Sequence, residues 1–294
     1  MTLAFLLSFL TASAQESVIS DSVNKKRLKT AVAVDAGLYV SAMSALYTAW
    51  YKGYDLTAFH WFDDRREWLQ VDKVGHGYSG YCITDMLAYG FRWSGMNRKR
   101  SALIAGGIAW GVIASVEYFD GLSARWGASW SDLAANTTGI VLFSGQEILW
   151  NEQRIVPKFS FHRTHYADYR PDYMGTGFIR SLVKDYNGQA YWLSFNIRSL
   201  TGREKIPAWL CVSIGYGADG MIGGTENPDE INGAPLPYFQ RYRQYYLSLD
   251  VDFSKIKTRY AALNLLLKGV NYLKVPFPAL EYGNKRFKGY WIYF

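Results

Sequence analysis

Seven side chains supply most of the polar chemistry in the first half of this sequence, and they fall in three short segments. In Asp72-Lys73-Val74-Gly75-His76 the aspartate is four residues and the lysine three residues before the histidine, so on a helix they share a face. Glu117-Tyr118-Phe119-Asp120-Gly121 sets two carboxylates three apart at the end of an apolar helical stretch, where the helix dipole disfavours negative charge and partners are needed. In Ser129-Trp130-Ser131-Asp132-Leu133-Ala134-Ala135-Asn136 either serine suits a helix N-cap, and Asp132 and Asn136 face one way. Three kinds of chemistry fit. As a metal site, His76 with Glu117, Asp120 and Asp132 offers one nitrogen and several carboxylate oxygens, the mixture that holds iron, manganese or zinc. The Glu-x-x-His pair of carboxylate-bridged bundles is missing, so neither a metal nor a cofactor is assigned. As a catalytic site, His76 is a general base oriented by Asp72, with Lys73 holding an anionic group such as a lipid-carrier phosphate. No nucleophile motif, Gly-rich phosphate loop or His-Glu-x-x-His accompanies it. The favoured reading is structural: Lys73 and His76 neutralise Glu117, Asp120 and Asp132 in a buried network that fixes helix packing.

These segments need a scaffold, and the sequence offers one. Four stretches of helical length, about 28–51, 71–93, 99–118 and 130–150, are bounded by turn-forming runs such as Asp63-Asp64-Arg65-Arg66 and Ser94-Gly95-Met96-Asn97. With short connections they predict an antiparallel four-helix bundle. Gly106, Gly107 and Gly111 suit the close packing of membrane helices, yet every stretch carries ionisable groups: Asp35, His76, Asp85, Glu117, Asp132 and Glu147. Either the bundle is soluble or shallowly embedded, or those groups converge inside it.

After Trp150 the period changes to two. Segments 191–198, 209–216 and 245–252 alternate or nearly alternate, with Gly and Pro clusters between them, and read as strands. A helical patch spans about 255–268. The chain ends on an amphipathic strand in which Tyr290, Ile292 and Phe294 share a face, either an ordinary terminal strand or one like those of outer-membrane proteins. Only four to six strands are counted, fewer than the smallest membrane barrel needs. The expected fold class is therefore α+β, with a helical domain over 15–150 and a strand-rich domain over 151–294.

Residues 3–10 form an apolar stretch too short to span a bilayer, and Ala12-Ser13-Ala14 follows as a cleavage site, so 1–14 read as a signal peptide despite the missing basic start. Cys82 and Cys211 have no paired spacing and read as small buried residues. His162 and His165 are spaced as metal ligands on a helix, but Pro157 and Pro171 nearby favour a loop. Trp61, Trp68, Trp93, Trp126, Trp130 and Trp150 fall near helix ends, which fits membrane-interface anchoring and core packing equally. Of 294 residues, 49% are hydrophobic and 17% aromatic, enough for a sizeable core. The net charge of +7 lies wholly after residue 150, where 19 Lys/Arg face 12 Asp/Glu, against 13 and 13 in 15–150. Without a basic stripe, nucleic acid is excluded as a partner, and an anionic lipid or glycan surface suits that charge better.

The order Asp-Lys-x-x-His, Glu-x-x-Asp, Ser-x-Asp-Leu-x-x-Asn-x-x-Gly over about 60–145 resembles the YfiM-like family of predicted periplasmic lipoproteins, and more distantly the VanZ-like membrane proteins. Tyr191-Trp192-Leu193-Ser194, Gly215-Tyr216-Gly217, Leu247-Ser248-Leu249-Asp250-Val251-Asp252 and Pro276-Phe277-Pro278-Ala279-Leu280-Glu281 are similar to long envelope members with an added C-terminal half. The short lipoproteins carry a lipidated Cys after the apolar stretch, which this sequence lacks. The resemblance implies location and architecture and supplies no reaction. The expectation is an exported envelope protein at the outer membrane or its periplasmic face, structural or binding in role. Its expected partners are a membrane or anionic envelope lipid, or a second envelope protein. The alternative is a membrane-linked enzyme acting on a lipid or cell-wall precursor.

Overall fold

The computed structural model describes residues 23–231 and 233–293, so the apolar stretch 3–10, the Ala12-Ser13-Ala14 site and Phe294 lie outside the described residues. The fold is α+β: long helices in the first half and an antiparallel sheet in the second. The chain divides into two compact units. One, helical, runs up to Arg65 and takes in Gly75–Gln153; the other, built on the sheet, joins Arg66–Val74 to the chain from Arg154 onward.

Four long helices carry the first half: α1 (Lys25–Leu46), α2 (Val71–Trp93), α3 (Arg98–Gly121) and α4 (Trp130–Trp150). Their starts are capped by side chains, as polar residues ahead of apolar runs require. Asn24 accepts from the Arg27 amide, Asn97 from that of Arg100, and Ser129 from that of Asp132. Small residues set how closely the helices approach. A Cβ on Gly139 would lie 1.9 Å from the Gly77 carbonyl oxygen, and one on Gly80 2.3 Å from that of Asn136, so α2 and α4 touch backbone to backbone. Ser144 of α4 donates to the Ala102 carbonyl of α3, Tyr39 of α1 bonds Ser115 of α3, and Ala31 of α1 lies against Gly90 of α2. The ionisable groups collect at separate levels. Near one end, Glu147 is buried and takes both forks of Arg98 at 2.7 Å, while Arg92 bonds Asp85 at 3.1 Å. Among the described helices, α3 alone is long and apolar enough to cross a membrane, a test that the core helix of a soluble protein also passes.

Six strands form the main sheet, in the order β1 (Ile155–Phe161), β2 (Gln189–Asn196), β3 (Leu210–Asp219), β6 (Tyr242–Val251), β7 (Phe277–Gly283) and β8 (Arg286–Tyr293), every pair antiparallel. A two-stranded ribbon, β4 (Glu230–Ile231) and β5 (Ala234–Pro235), interrupts β3 and β6. Short helices α5 (Pro171–Met174), α6 (Gly177–Lys184), α7 (Ile197–Thr201) and α8 (Ala261–Val270) fill the connections. Asn284 and Lys285 turn β7 into β8 with φ of 47° and 59°, the paired positive values that a tight hairpin demands. The sheet curls: after α8 the chain passes along β1, exchanging Phe159 N–H to Tyr272 O and Lys274 N–H to Phe159 O, and then enters β7. The outer edge of β1 is thereby paired.

The two faces of this sheet are inverted relative to an ordinary domain. Inward point Ser194, Ser213, Ser248, Asp250, Gln244 and Glu281, all buried, together with Trp192 and Tyr246. Gly215 leaves the space that Trp192 fills; a Cβ there would lie 2.6 Å from the indole ring. Outward, the register lines up Leu193, Ile214, Leu247 and Leu280 side by side on four strands, with 36–50% of each exposed. Two residues along runs an aromatic row: Phe159, Tyr191, Tyr216, Tyr245, Tyr282 and Phe287. The segment Glu67–Gln70 covers part of that row. Its Trp68, Leu69 and Gln70 hold positive φ, Trp68 is buried between Tyr173 and Tyr186, and the Leu69 carbonyl accepts the Tyr216 hydroxyl. Trp68 is thus a core residue and not an interface anchor.

At the last strand the simple alternation fails. β8 pairs Tyr290 with Ala279 and Tyr293 with Phe277, so a bulge inserts one extra residue on β8. Tyr290 and Tyr293 therefore turn inward together, and Ile292, expected on the face of Tyr290, is exposed.

Candidate functional site

The ends of α2, α3 and α4 bring four of the seven expected residues together. His76 lies in the second turn of α2; its Nδ1 accepts from Asn136 Nδ2 at 2.9 Å, and its Nε2 lies 3.5 Å from Asp132 Oδ1. Asp132 and Asn136 are one turn apart on α4 and both buried, as their spacing predicts. Glu117, buried near the end of α3, takes the Ser129 amide on Oε2 at 3.0 Å. Burial pushes its carboxyl up to about 7; the Ser129 amide and the charge of His76 pull down, and Asp120 and Asp64 push further up. Asp120 accepts the Tyr51 hydroxyl at 2.7 Å.

The other two residues belong to the sheet unit. Lys73 bonds Asp72 at 2.9 Å, and the second oxygen of Asp72 accepts the Tyr186 hydroxyl at 2.6 Å. Val71, beside this pair in the first turn of α2, packs with Trp68 in the core of the sheet unit.

Sequence reasoning passed over Asp64. Its carboxylate is buried and accepts both Ser129 Oγ at 2.6 Å and Ser131 Oγ at 2.5 Å, so it ties the loop before α2 to the cap of α4. Asp64 sits in a charged run that reads as a turn, and no local spacing links it to its two serines. Both serines serve one aspartate, and Ser129 caps as well. The set can hold a proton at Glu117 near neutral pH and orient an imidazole, yet Ser129, Glu117, Asn136, Asp132 and Asp64 are each no more than 8% exposed. His162 and His165 stand in a loop, as expected, and do not share a site: His162 faces Tyr293, and His165 packs on Tyr166 and Phe239.

The segment containing Asp64, His76, Glu117, Asp132 and Asn136 is also where the chain is similar to other proteins. Residues 60–144 match the family described as predicted periplasmic lipoprotein (DUF2279). The matched segment holds Asp64, His76, Glu117, Ser129, Asp132 and Asn136, and nothing in the match extends to the VanZ-like proteins. Its description agrees with an exported protein of the cell envelope. No curated protein and no solved structure matches the chain.

Proposed function

We propose that this is an exported envelope protein with a structural or binding role, whose sheet seats its outer face in the lipid of the outer membrane. The inverted sheet carries this reading. An aliphatic band exposed on one face, an aromatic row beside it and polar side chains on the other face is the residue arrangement of outer-membrane strands. From Tyr245 to Val251 the outward residues cover roughly 20 Å at strand rise, less than the apolar band of a spanning barrel. Six strands are likewise too few to close such a barrel, so the sheet dips into lipid from one side. Arg243, on the same face of β6 as Tyr245, suits anionic headgroups.

In this reading the helices form a four-helix bundle whose polar network is a scaffold. The deep burial of Ser129, Glu117 and Asn136 supports it over the alternative, an enzyme acting on a lipid or cell-wall precursor.

Nitroxide labels test the lipid contact, at Leu247→Cys and at Lys257→Cys outside the sheet, with Cys82 and Cys211 replaced by Ala. In vesicles of phosphatidylethanolamine and phosphatidylglycerol, the label at 247 becomes accessible to oxygen and shielded from a nickel chelate, while the label at 257 stays open to nickel. Nickel access at 247 equal to that at 257 overturns the proposal.

A further inference from the structure

At the end of the sheet where β3 stops and β7 turns into β8, a cavity of about 640 Å³ opens between the strands. Its size is in the range of small-molecule sites. Two carboxylates line it. Asp219 accepts the Tyr242 hydroxyl at 2.9 Å, the Gly220 amide at 2.8 Å and the Tyr166 hydroxyl, and Glu281, buried, accepts the Tyr290 hydroxyl at 2.6 Å and the Gln244 amide at 3.1 Å. Asp219 keeps room for one further donor and Glu281 for more. Tyr246 and Tyr293 are buried and share a single hydrogen bond of 2.9 Å between their hydroxyls. One of their two hydroxyl hydrogens therefore remains for an acceptor. Tyr246, Tyr293 and Tyr290 also present ring surface, with centroids 4.6 and 5.1 Å apart along the series. At the mouth Arg286 and Lys288 are exposed, and the Lys288 ammonium lies 4.6 Å from the Tyr290 ring centroid.

The occupant must supply donors to two carboxylates, an acceptor to a buried phenol, a flat C–H surface to tyrosine rings and negative charge to the rim. A bare ammonium ion lacks the acceptor and the anion; a free phosphate lacks the donors and the apolar surface. We propose that this cavity binds a sugar carrying an anionic substituent, held by Asp219 and Glu281 through its hydroxyls and by Arg286 and Lys288 through its phosphate. The source is either a soluble sugar phosphate or the headgroup of an envelope glycolipid. The proposal does not depend on the sheet entering lipid.

Calorimetry on the full chain in amine-oxide micelles, which contain neither sugar nor phosphate, tests it with glucose 1-phosphate, glucose and inorganic phosphate. Glucose 1-phosphate binds at least about tenfold more tightly than either half alone, since charge-assisted hydrogen bonds add to those of the hydroxyls. Lys288→Ala, at the exposed rim, lowers its affinity about tenfold and leaves glucose unchanged. Glu281→Gln weakens both sugars; Tyr246→Phe, which keeps the ring, does the same and serves if the glutamine variant fails to fold. A phosphoglycolipid doped into the micelles binds more tightly than glucose 1-phosphate if the lipid is the source, and equally if the soluble sugar is. Absence of binding by all sugar probes, inorganic phosphate binding as tightly as glucose 1-phosphate, or affinities unchanged in Lys288→Ala and Tyr246→Phe each overturns the proposal.

Discussion

The helices and the sheet bury polar groups in opposite ways. In the helical unit three carboxylates enclosed among small and apolar residues are met by a neighbouring side chain or amide, Glu117 by the Ser129 N–H, Asp64 by two serines and Glu147 by Arg98, while Asp35 keeps one buried oxygen without a hydrogen bond. In the sheet the inner face carries many polar side chains around a small cluster of Trp192, Tyr246, Ala279 and Tyr293, and the row Leu193, Ile214, Leu247 and Leu280 points out. At its centre Lys158 and Asp250, both fully buried, lie 3.0 Å apart, with Lys274 3.8 Å from the same carboxylate. A helix bundle in water buries an apolar stripe and tolerates a polar cluster. A sheet whose inner face is largely polar leaves its outward leucines as exposed apolar surface, the surface on which the proposed lipid contact rests.

The largest effect should come from the sheet interior. Lys158→Met removes the closest counter-ion of a fully buried aspartate and leaves it the more distant Lys274, which is expected to cost about 3 kcal/mol in denaturant unfolding. A loss under about 1 kcal/mol would show that Lys274 alone neutralises Asp250 and that the interior is less polar than it looks. The helical network responds to pH instead. Because folding raises the Glu117 carboxyl from 4.5 to about 7, the folded state holds a proton that the unfolded state has released. Its contribution is therefore greatest below about pH 4.5 and is lost as pH rises to 7, up to about 3 kcal/mol. Glu117→Gln, which keeps an acceptor for the Ser129 amide, should flatten stability across that window; an unchanged slope would place the proton elsewhere. Gly139→Ala tests the backbone contact of α2 and α4. The added methyl meets the Gly77 carbonyl and should cost about 1–3 kcal/mol in thermal unfolding, whereas Gly107→Ala, which meets nothing within 4 Å, should not destabilise.

These features were unevenly legible in the sequence. The four helices stand close to where their apolar stretches and capping residues put them, because Asn24, Asn97 and Ser129 act locally. The strands show in their alternation, but which face turns inward does not. Leu247-Ser248-Leu249-Asp250 alternates equally well either way, and only the register that aligns Ser194, Ser213 and Ser248 fixes the polar side as inner. The β8 bulge moved Tyr293 inward, which a period of two cannot express. Within the site, Asp132 and Asn136 were readable from their one-turn spacing and Ser129 as a cap. Asp64 was not, because its partners are 65 and 67 residues away and no local period links them. The attachment of Asp72 to Tyr186, 114 residues on, is non-local in the same way.

The smallest expected effect on folding is the sharpest test of the inverted sheet, because it uses two adjacent residues of β6. Leu247 points outward, half exposed, and Ser248 points inward, where its single hydroxyl hydrogen is shared between the carbonyls of Leu249 and Pro278, each 2.9 Å away. In an ordinary sheet the leucine would hold the core and the serine would face solvent, so Leu247→Ser would destabilise strongly and Ser248→Val would be harmless. Here the order reverses. Ser248→Val takes the hydroxyl away from the Pro278 carbonyl and crowds a tight interior, costing about 1–3 kcal/mol, while the Leu249 carbonyl keeps its bond from Lys274. Leu247→Ser should change unfolding in water by no more than about 0.5 kcal/mol, since the side chain it removes is already half in solvent. Vesicles separate the two again: the serine removes apolar surface worth about 1.5 kcal/mol when sunk in lipid, so partitioning of Leu247→Ser onto phosphatidylglycerol vesicles should fall about tenfold. A large loss of stability in water for Leu247→Ser would mean that its outward face is buried in the folded protein after all, and the contrast between helices and sheet would disappear.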